Sequence, residues 1–473
     1  LDSSINSGDT MLQVRNTAQA FDWSKITVTG AADWMSGATG SKRVILYSGP
    51  ALTISNYNVT GTVEGNFEYG ILSNTGTPNA SNVTATQVYF DGHQFKNADI
   101  TYNAGNPIPT GTSNLYGGTS TLGNTTTKNK VTIDGLEYGG ALYGGYTQGN
   151  GDSTYNEVVL KNLPTGAYYG PQVYGGWSNQ GNATHNTVTL SRTKVHHPGT
   201  YYYSNLYGGF SNNTGADKTT GNKLKITTTE NGVASINNFE TMEFVLDSSI
   251  NSGDTMLQVR NTAQDFDWNK VKVTGLRAWA TALANANVYT PTLRLFAGPW
   301  LTLTNYAPTI VGTRGDYEFG KVADTAGTGT VWVSVLALSG NRFQNAGIGV
   351  NVTTPSGAPY WATIAGMSTY GNTTNHNELN LTGGNHTTAL AAYTNALHGG
   401  SDSNTLNLLT GSAVTNGFAG LTRGRHLLVN PEDEEHPELV DTTKNAEATN
   451  NVINIKGGTF KNPSDIETKK KVV

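Results

Sequence analysis

Short runs of alternating apolar and polar residues recur along this chain, each headed by an asparagine. They read NKVTI from Asn129, NEVVL from Asn156, NTVTL from Asn186 and NKLKI from Asn222, then NELNL from Asn377, NTLNL from Asn404 and NVINI from Asn451. Period-two alternation predicts short strands with one buried face. Some 12 to 15 residues ahead of the first four stands Tyr-Gly-Gly, at Tyr116, Tyr143, Tyr174 and Tyr207, with an extra copy at Tyr138.

The strand starts are mostly 27 to 36 residues apart within a module, with Gly and Asn turns between them and no helical periodicity. A period of that size predicts a solenoid. The expected fold is all-β, a right-handed parallel β-helix whose rungs stack about 4.8 Å apart. Residues at equivalent rung positions then form columns: an aromatic stack of Tyr116, Tyr143, Tyr174 and Tyr207, and an amide ladder of the motif asparagines. Glycines beside the tyrosines serve the corners. A β-propeller also repeats strands, but its blades need a higher strand density than this chain carries.

A second, longer repeat is nearly identical at its start. Residues 1–30 and 246–275 differ only at Ala20/Asp265, Ser24/Asn269, Ile26/Val271 and Thr27/Lys272. The match then weakens but stays in register, from Trp34 and Trp279 through Phe67-Glu68-Tyr69-Gly70 and Tyr317-Glu318-Phe319-Gly320. Two modules follow, 1–245 and 246–473. Each opens on a β-rich segment without the Tyr-Gly-Gly rhythm, 1–110 and 246–355, before its rungs at 111–245 and 356–473. These openings are either rungs with larger loops or small β subdomains inserted in the helix. Residue 1 lacks what precedes its twin at 246, so the chain is expected to begin mid-module, as part of a longer array.

Composition narrows the function classes. The 473 residues include 57 Gly, no Cys, 29 Lys+Arg and 34 Asp+Glu, for a net charge of −5. Without a basic run there is no footprint for nucleic acid. No run of about 18 apolar residues offers a membrane span, so membrane insertion of this segment is not expected. The absence of cysteine removes disulfides, thiolate zinc sites and cysteine nucleophiles together. With 23 Tyr, 13 Phe and 8 Trp the chain is too aromatic for a solvated coil. Long helices are not expected from so much Gly, Asn and Thr.

The alternation LYGGTSTLGNTTTKNKVTI, LYGGYTQGNGDSTYNEVVL, VYGGWSNQGNATHNTVTL resembles the passenger region of Gram-negative autotransporters, as does the module opening NFETMEFVLDSSINSGDTMLQV. The resemblance covers most of the chain in rhythm and is most specific over 114–275. It implies export through the periplasm, a surface β-helix, and often an adhesin's role. The C-terminal NPSDIETKKKVV does not read as the barrel that anchors such proteins, which implies a cleaved or excerpted passenger.

Candidate chemistry is sparse. No G-x-S-x-G elbow, H-E-x-x-H, Walker loop or dinucleotide fingerprint occurs. His196-His197 precede Pro198 and in extended chain point opposite ways; His376 and His386 lack carboxylate partners. All four read as non-ligands, and no cofactor or metal is expected. The densest acidic group, Glu432, Asp433, Glu434, Glu435 and Glu438, interrupts the rung rhythm and reads as a solvated loop, or more sharply as a site for a divalent cation or basic partner. Arg314-Gly315-Asp316 spells the tripeptide that integrins read, with coincidence the plainer explanation. The aromatics three residues after the ladder tyrosines, Tyr146, Trp177 and Phe210, are on strand geometry expected to face opposite to them. One series would then pack inside while the other forms an exposed strip; packing of both series is the plainer alternative.

The resulting expectation is a non-enzymatic bacterial cell-surface adhesin or structural rod, extracellular and either outer membrane-associated or released. Its partners would be a host or bacterial surface glycan or protein, or a like rod through homotypic self-association. The competing reading is a β-helical polysaccharide lyase or glycoside hydrolase, which needs converging carboxylates.

Overall fold

The computed structural model describes residues 1–473 apart from 17–19, 39, 60, 75–81, 163–171, 192–204, 352–362, 395–398, 423–447 and 461–473. The acidic group at 432–438 and His196-His197 lie outside the described residues. Strands make up 59% of the structure and helices 5%, and parallel sheets wind into a β-solenoid of about 12 turns. No helix among the described residues is long and apolar enough to cross a membrane.

While the Tyr-Gly-Gly copy at Tyr138 lies between strands, the other four of the five motifs lie within seven-residue strands, Asn114–Ser120, Ala141–Thr147, Gln172–Ser178 and Asn205–Ser211. They pair in parallel with Tyr116, Tyr143, Tyr174 and Tyr207 in one register. A second sheet runs through Asp99–Tyr102, Lys130–Asp134, Glu157–Lys161, Thr187–Ser191, Lys223–Ile226, Thr241–Val245 and Val271–Thr274. Its apolar column, Val131, Val158, Val188, Leu224 and Met242, is fully buried. The alternation seen in sequence is the inside–outside alternation of these strands.

Between the two sheets the chain turns a corner on the motif asparagine. The Nδ2 of Asn129 donates to Asn156 Oδ1 at 2.9 Å, Asn156 to Asn186 at 3.1 Å, and Asn186 to Asn222 at 3.4 Å. In the second module Asn377 donates to Asn404 and Asn404 to Asn451, both at 2.9 Å. The expected amide ladder is therefore present in both. One position earlier the backbone turns left-handed at Lys128, Tyr155, His185, Gly221, His376, Ser403 and Asn450, with φ between 51° and 70°.

The opening segments contain antiparallel subdomains. In the first, Ser41–Ser55, Asn82–Gln94, Phe67–Ser73 and Gly61–Glu64 form consecutive antiparallel neighbours. In the second, Thr292–Tyr306, Gly329–Arg342, Tyr317–Ala323 and Thr309–Arg314 do the same, and their sheet continues the tyrosine sheet through Thr255–Ala263. One apolar core consequently runs from Leu115 to Leu338, so the sequence boundary at 245/246 does not divide the packing. Met256 and Leu257 lie fully buried there, whereas their twins Met11 and Leu12 are 54% and 52% exposed.

Two short α-helices, Ala31–Met35 and Leu276–Asn285, sit at equivalent places of the two openings within this all-β fold. Leu276–Asn285 buries Leu276, Trp279, Ala280 and Leu283, the i, i+3, i+4, i+7 stripe of an amphipathic helix.

Candidate functional site

The two aromatic series meet on one face. Tyr116, Tyr143, Tyr174 and Tyr207 stack ring on ring at 5.1, 5.0 and 5.0 Å, matching the rung repeat. Tyr146 stacks on Trp177 at 4.4 Å, and also lies 5.1 Å from both Tyr116 and Tyr143. Phe210 sets its edge against Tyr174 and Tyr207 at 5.5 and 5.8 Å.

This corrects the expectation that positions three apart point opposite ways. Leu142 and Thr147 point into the core, while Tyr143 and Tyr146 both stay half-buried on the outside. The reason is the glycine pair between them. A Cβ on Gly145 would lie 2.3 Å from Asn156 Nδ2, and one on Gly144 3.2 Å from Asn156 Cβ, so both glycines face the amide ladder. Two inward positions in succession shift the alternation by one, returning the next aromatic to the outer face.

The strip is therefore seven rings, formed by Tyr116, Tyr143, Tyr146, Tyr174, Trp177, Tyr207 and Phe210, on a parallel sheet that fixes their spacing. Burial, followed by the neighbouring tyrosines, pushes the Tyr143 hydroxyl up to about 12 and Tyr174 further still; Tyr116 is raised for the same first reason. These phenols stay neutral in ordinary solution, so the strip presents uncharged ring edges and hydroxyls, its stacked π faces being turned toward one another. Beside its first rung a shallow depression of about 470 Å³ is lined by Ile108, Pro109, Thr112, Ser113, Glu137 and Tyr138. In the second module the same positions carry Ile364, Leu390 and Phe418, and Met367, Tyr393 and Leu421. The continuous aromatic face belongs to the first module.

The chain matches no family model, no curated protein and no solved structure.

The remaining candidates take structural places. Arg314-Gly315-Asp316 forms a hairpin turn, with Gly315 left-handed at φ 55°. The Asp316 carboxylate is held by Arg342 at 3.3 Å and by Asn345 Nδ2 at 2.8 Å. The first module has Asn66 in that place, bonded to Asn97 at 2.9 Å. Asp316 is thus spent on locking the turn rather than presented outward. His376 sits at a left-handed corner, and His386 is buried within 3.2 Å of the Gly383 carbonyl. Among the described residues no group of three or more His, Cys, Asp or Glu could hold a metal.

Two fully buried acids belong to no chemical motif in the sequence. Glu68 and Glu318 have no solvent exposure. Glu68 accepts from Ser120 Oγ, the Thr121 amide and Asn124 Nδ2 at 2.7, 2.6 and 2.8 Å. Glu318 accepts from Ser368, Thr369 and Asn372 at 2.8, 2.6 and 2.8 Å. Each clamps an antiparallel subdomain to the first following rung. Their spacing in both modules, Glu followed by Ser-Thr about 50 residues on, was the available signal.

Proposed function

We propose that this chain is a bacterial cell-surface adhesin or structural rod, akin to an autotransporter passenger, displayed at or released from the outer membrane. The observation that carries the reading is the strip of aromatic rings in rung register, six of them half-buried on the outer face around the buried Tyr174. The outward ring edges and hydroxyls of such a stack can meet the C–H and hydroxyl groups of a sugar or the edges of another aromatic strip, and repetition along a rigid axis multiplies weak contacts into avidity. The low charge of the chain lets a like rod approach with little repulsion.

The test replaces Tyr146, Trp177 and Phe210 together by Ser in the full chain. Attachment to host or bacterial cells and self-association by sedimentation velocity are then compared with the wild type. The reading expects attachment or self-association to fall at least tenfold while the unfolding temperature is nearly kept. A wild-type chain that stays monomeric at high concentration and attaches to no cells would sink it.

A further inference from the structure

Two tryptophans stand on the outer face of the second antiparallel subdomain, Trp300 at 75% and Trp332 at 71% exposure. Leu301 pairs with Val333 and Thr302 with Trp332. Leu301, Leu303, Val331 and Val333 are buried, so the intervening Trp300, Thr302, Trp332 and Ser334 point outward. Trp300 and Trp332 are therefore diagonal cross-strand neighbours, at about 7–8 Å between backbone positions.

The duplication supplies an internal control. In the first subdomain Leu52 pairs with Ala85 and Thr53 with Thr84, which places Ala51 where the second has Trp300 and Thr84 where it has Trp332. The same frame folds there without either indole, so the tryptophans are not needed to hold the sheet. Large exposed rings without a packing role mark a contact site.

Size and charge decide what the site fits. Two indoles offer roughly 300–500 Å² even when fully covered, well short of the about 800 Å² per partner of a stable protein interface. Their same-face neighbours Thr302, Thr304, Thr330 and Ser334 are uncharged, and the nearby Asp324 carboxylate is bonded to the Ser334 amide and hydroxyl at 3.0 and 2.5 Å and to the Val335 amide at 3.0 Å. Sugar rings match both features, with an apolar C–H face for each indole and edge hydroxyls for the threonines and serine.

We infer that Trp300 and Trp332 form a platform that binds a neutral polysaccharide, two sugar rings stacking on the two indoles. The platform depends on the adhesive reading for its purpose but not for its geometry, since two strands of their common sheet, Asn231–Asn237 and Thr255–Ala263, separate it from the strip.

The test uses the full chain in affinity electrophoresis and tryptophan fluorescence against a β-glucan, a chitin oligosaccharide, a mannan and a galactan, with polygalacturonate as the anionic contrast. At least one neutral glycan is expected to retard the wild type and quench its fluorescence. W300A/W332A should weaken that binding at least tenfold at unchanged unfolding temperature, and A51W/T84W should add a second site in the first subdomain. The serine variants of the strip should leave it intact, which separates this platform from the strip. Absence of binding to all four neutral glycans, or binding unaltered in W300A/W332A, overturns the inference. So does a double variant whose sole change is lost self-association.

Discussion

Glu68 accepts a 2.7 Å hydrogen bond from the hydroxyl of Ser120, 52 residues further along the chain. The second module repeats the contact between Glu318 and Ser368 at 2.8 Å. A buried carboxylate is tolerated only when donors surround it, and here hydroxyl, backbone amide and side-chain amide all converge on one group. Removing it strands those donors. Glu68→Ala is expected to cost about 3 kcal/mol or more, and Glu68→Gln to rescue little, because its NH2 meets donors. In a solenoid the loss should open one junction rather than the whole rod. Hydrogen exchange would show it: protection should fall in Phe67–Ser73 and Asn114–Ser120 but hold near Val452–Lys456. Uniform protection in the variant would disprove the clamp.

The amide ladder makes a graded prediction. Asn156 is buried, and its Oδ1 accepts from both the amide and the Nδ2 of Asn129, at 3.1 and 2.9 Å. Asn156→Ala leaves those donors short of a partner, at about 1–3 kcal/mol. Asn156→Asp should be worse, because a carboxylate replaces the amide that donates to the Thr126 carbonyl at 3.2 Å. Asn451, partly exposed as the last rung of its ladder, should cost less when changed to Ala. Denaturant unfolding of the three variants checks the order, and equal losses at Asn156 and Asn451 would contradict it.

At the left-handed corners a substitution is expected to stabilise. Lys128 adopts φ 55°, while Gly221 fills the equivalent corner three rungs on. The left-handed conformation costs an ordinary residue about 1–2 kcal/mol, whereas glycine's extra freedom in the unfolded chain costs roughly 0.5–1 kcal/mol. Lys128→Gly should therefore raise stability by about 0.5–1 kcal/mol, the difference between those two terms. His185→Gly should gain less, because His185 also stacks on Tyr155 at 4.8 Å. Matched thermal melts decide it; a Lys128→Gly variant that melts lower overturns the assignment of strain.

Much of the rung architecture was legible because a solenoid writes its geometry as a period. Asn156 heads a strand, Val158 and Leu160 alternate inward, and each recurs one rung later. The facing of Tyr146, Trp177 and Phe210 was not legible, because simple alternation breaks at a glycine pair packed on amides from a different segment. The clamp at Glu68 was hidden for a similar reason, since its partners are 52 to 56 residues away. The tripeptide at 314–316 shows the reverse: a motif spelled in sequence whose Asp316 is committed to Arg342 and Asn345 by the fold. Trp300 and Trp332 became distinct only once Ala51 and Thr84 were seen at the same frame positions.

Lys321 gives the fold a pH signature. It is buried, donates to the Trp268 and Val271 carbonyls at 2.9 and 2.6 Å, and lies 4.0 Å over the Trp268 ring. Burial lowers its pKa from 10.5 to about 8, with Asp267 opposing. Between about 8 and 10.5 the unfolded chain then binds more protons than the folded one, so stability rises with pH across that window and is flat below it. Tyr138, Tyr143 and Tyr317, each raised by burial from 10.0 to about 12, act oppositely: the folded chain holds their protons longer, and stability falls as pH climbs from about 10 toward 12. Wild-type stability should peak near pH 10. The first module has Ile71 at the place of Lys321, packed in the cluster around Trp23, so Lys321→Ile has a tolerated precedent. That variant should lose the rise between pH 8 and 10 and keep the fall above it. Urea unfolding from pH 7 to 12 measures both limbs, and a variant curve parallel to the wild type through pH 8–10 would show that Lys321 stays charged in the folded chain.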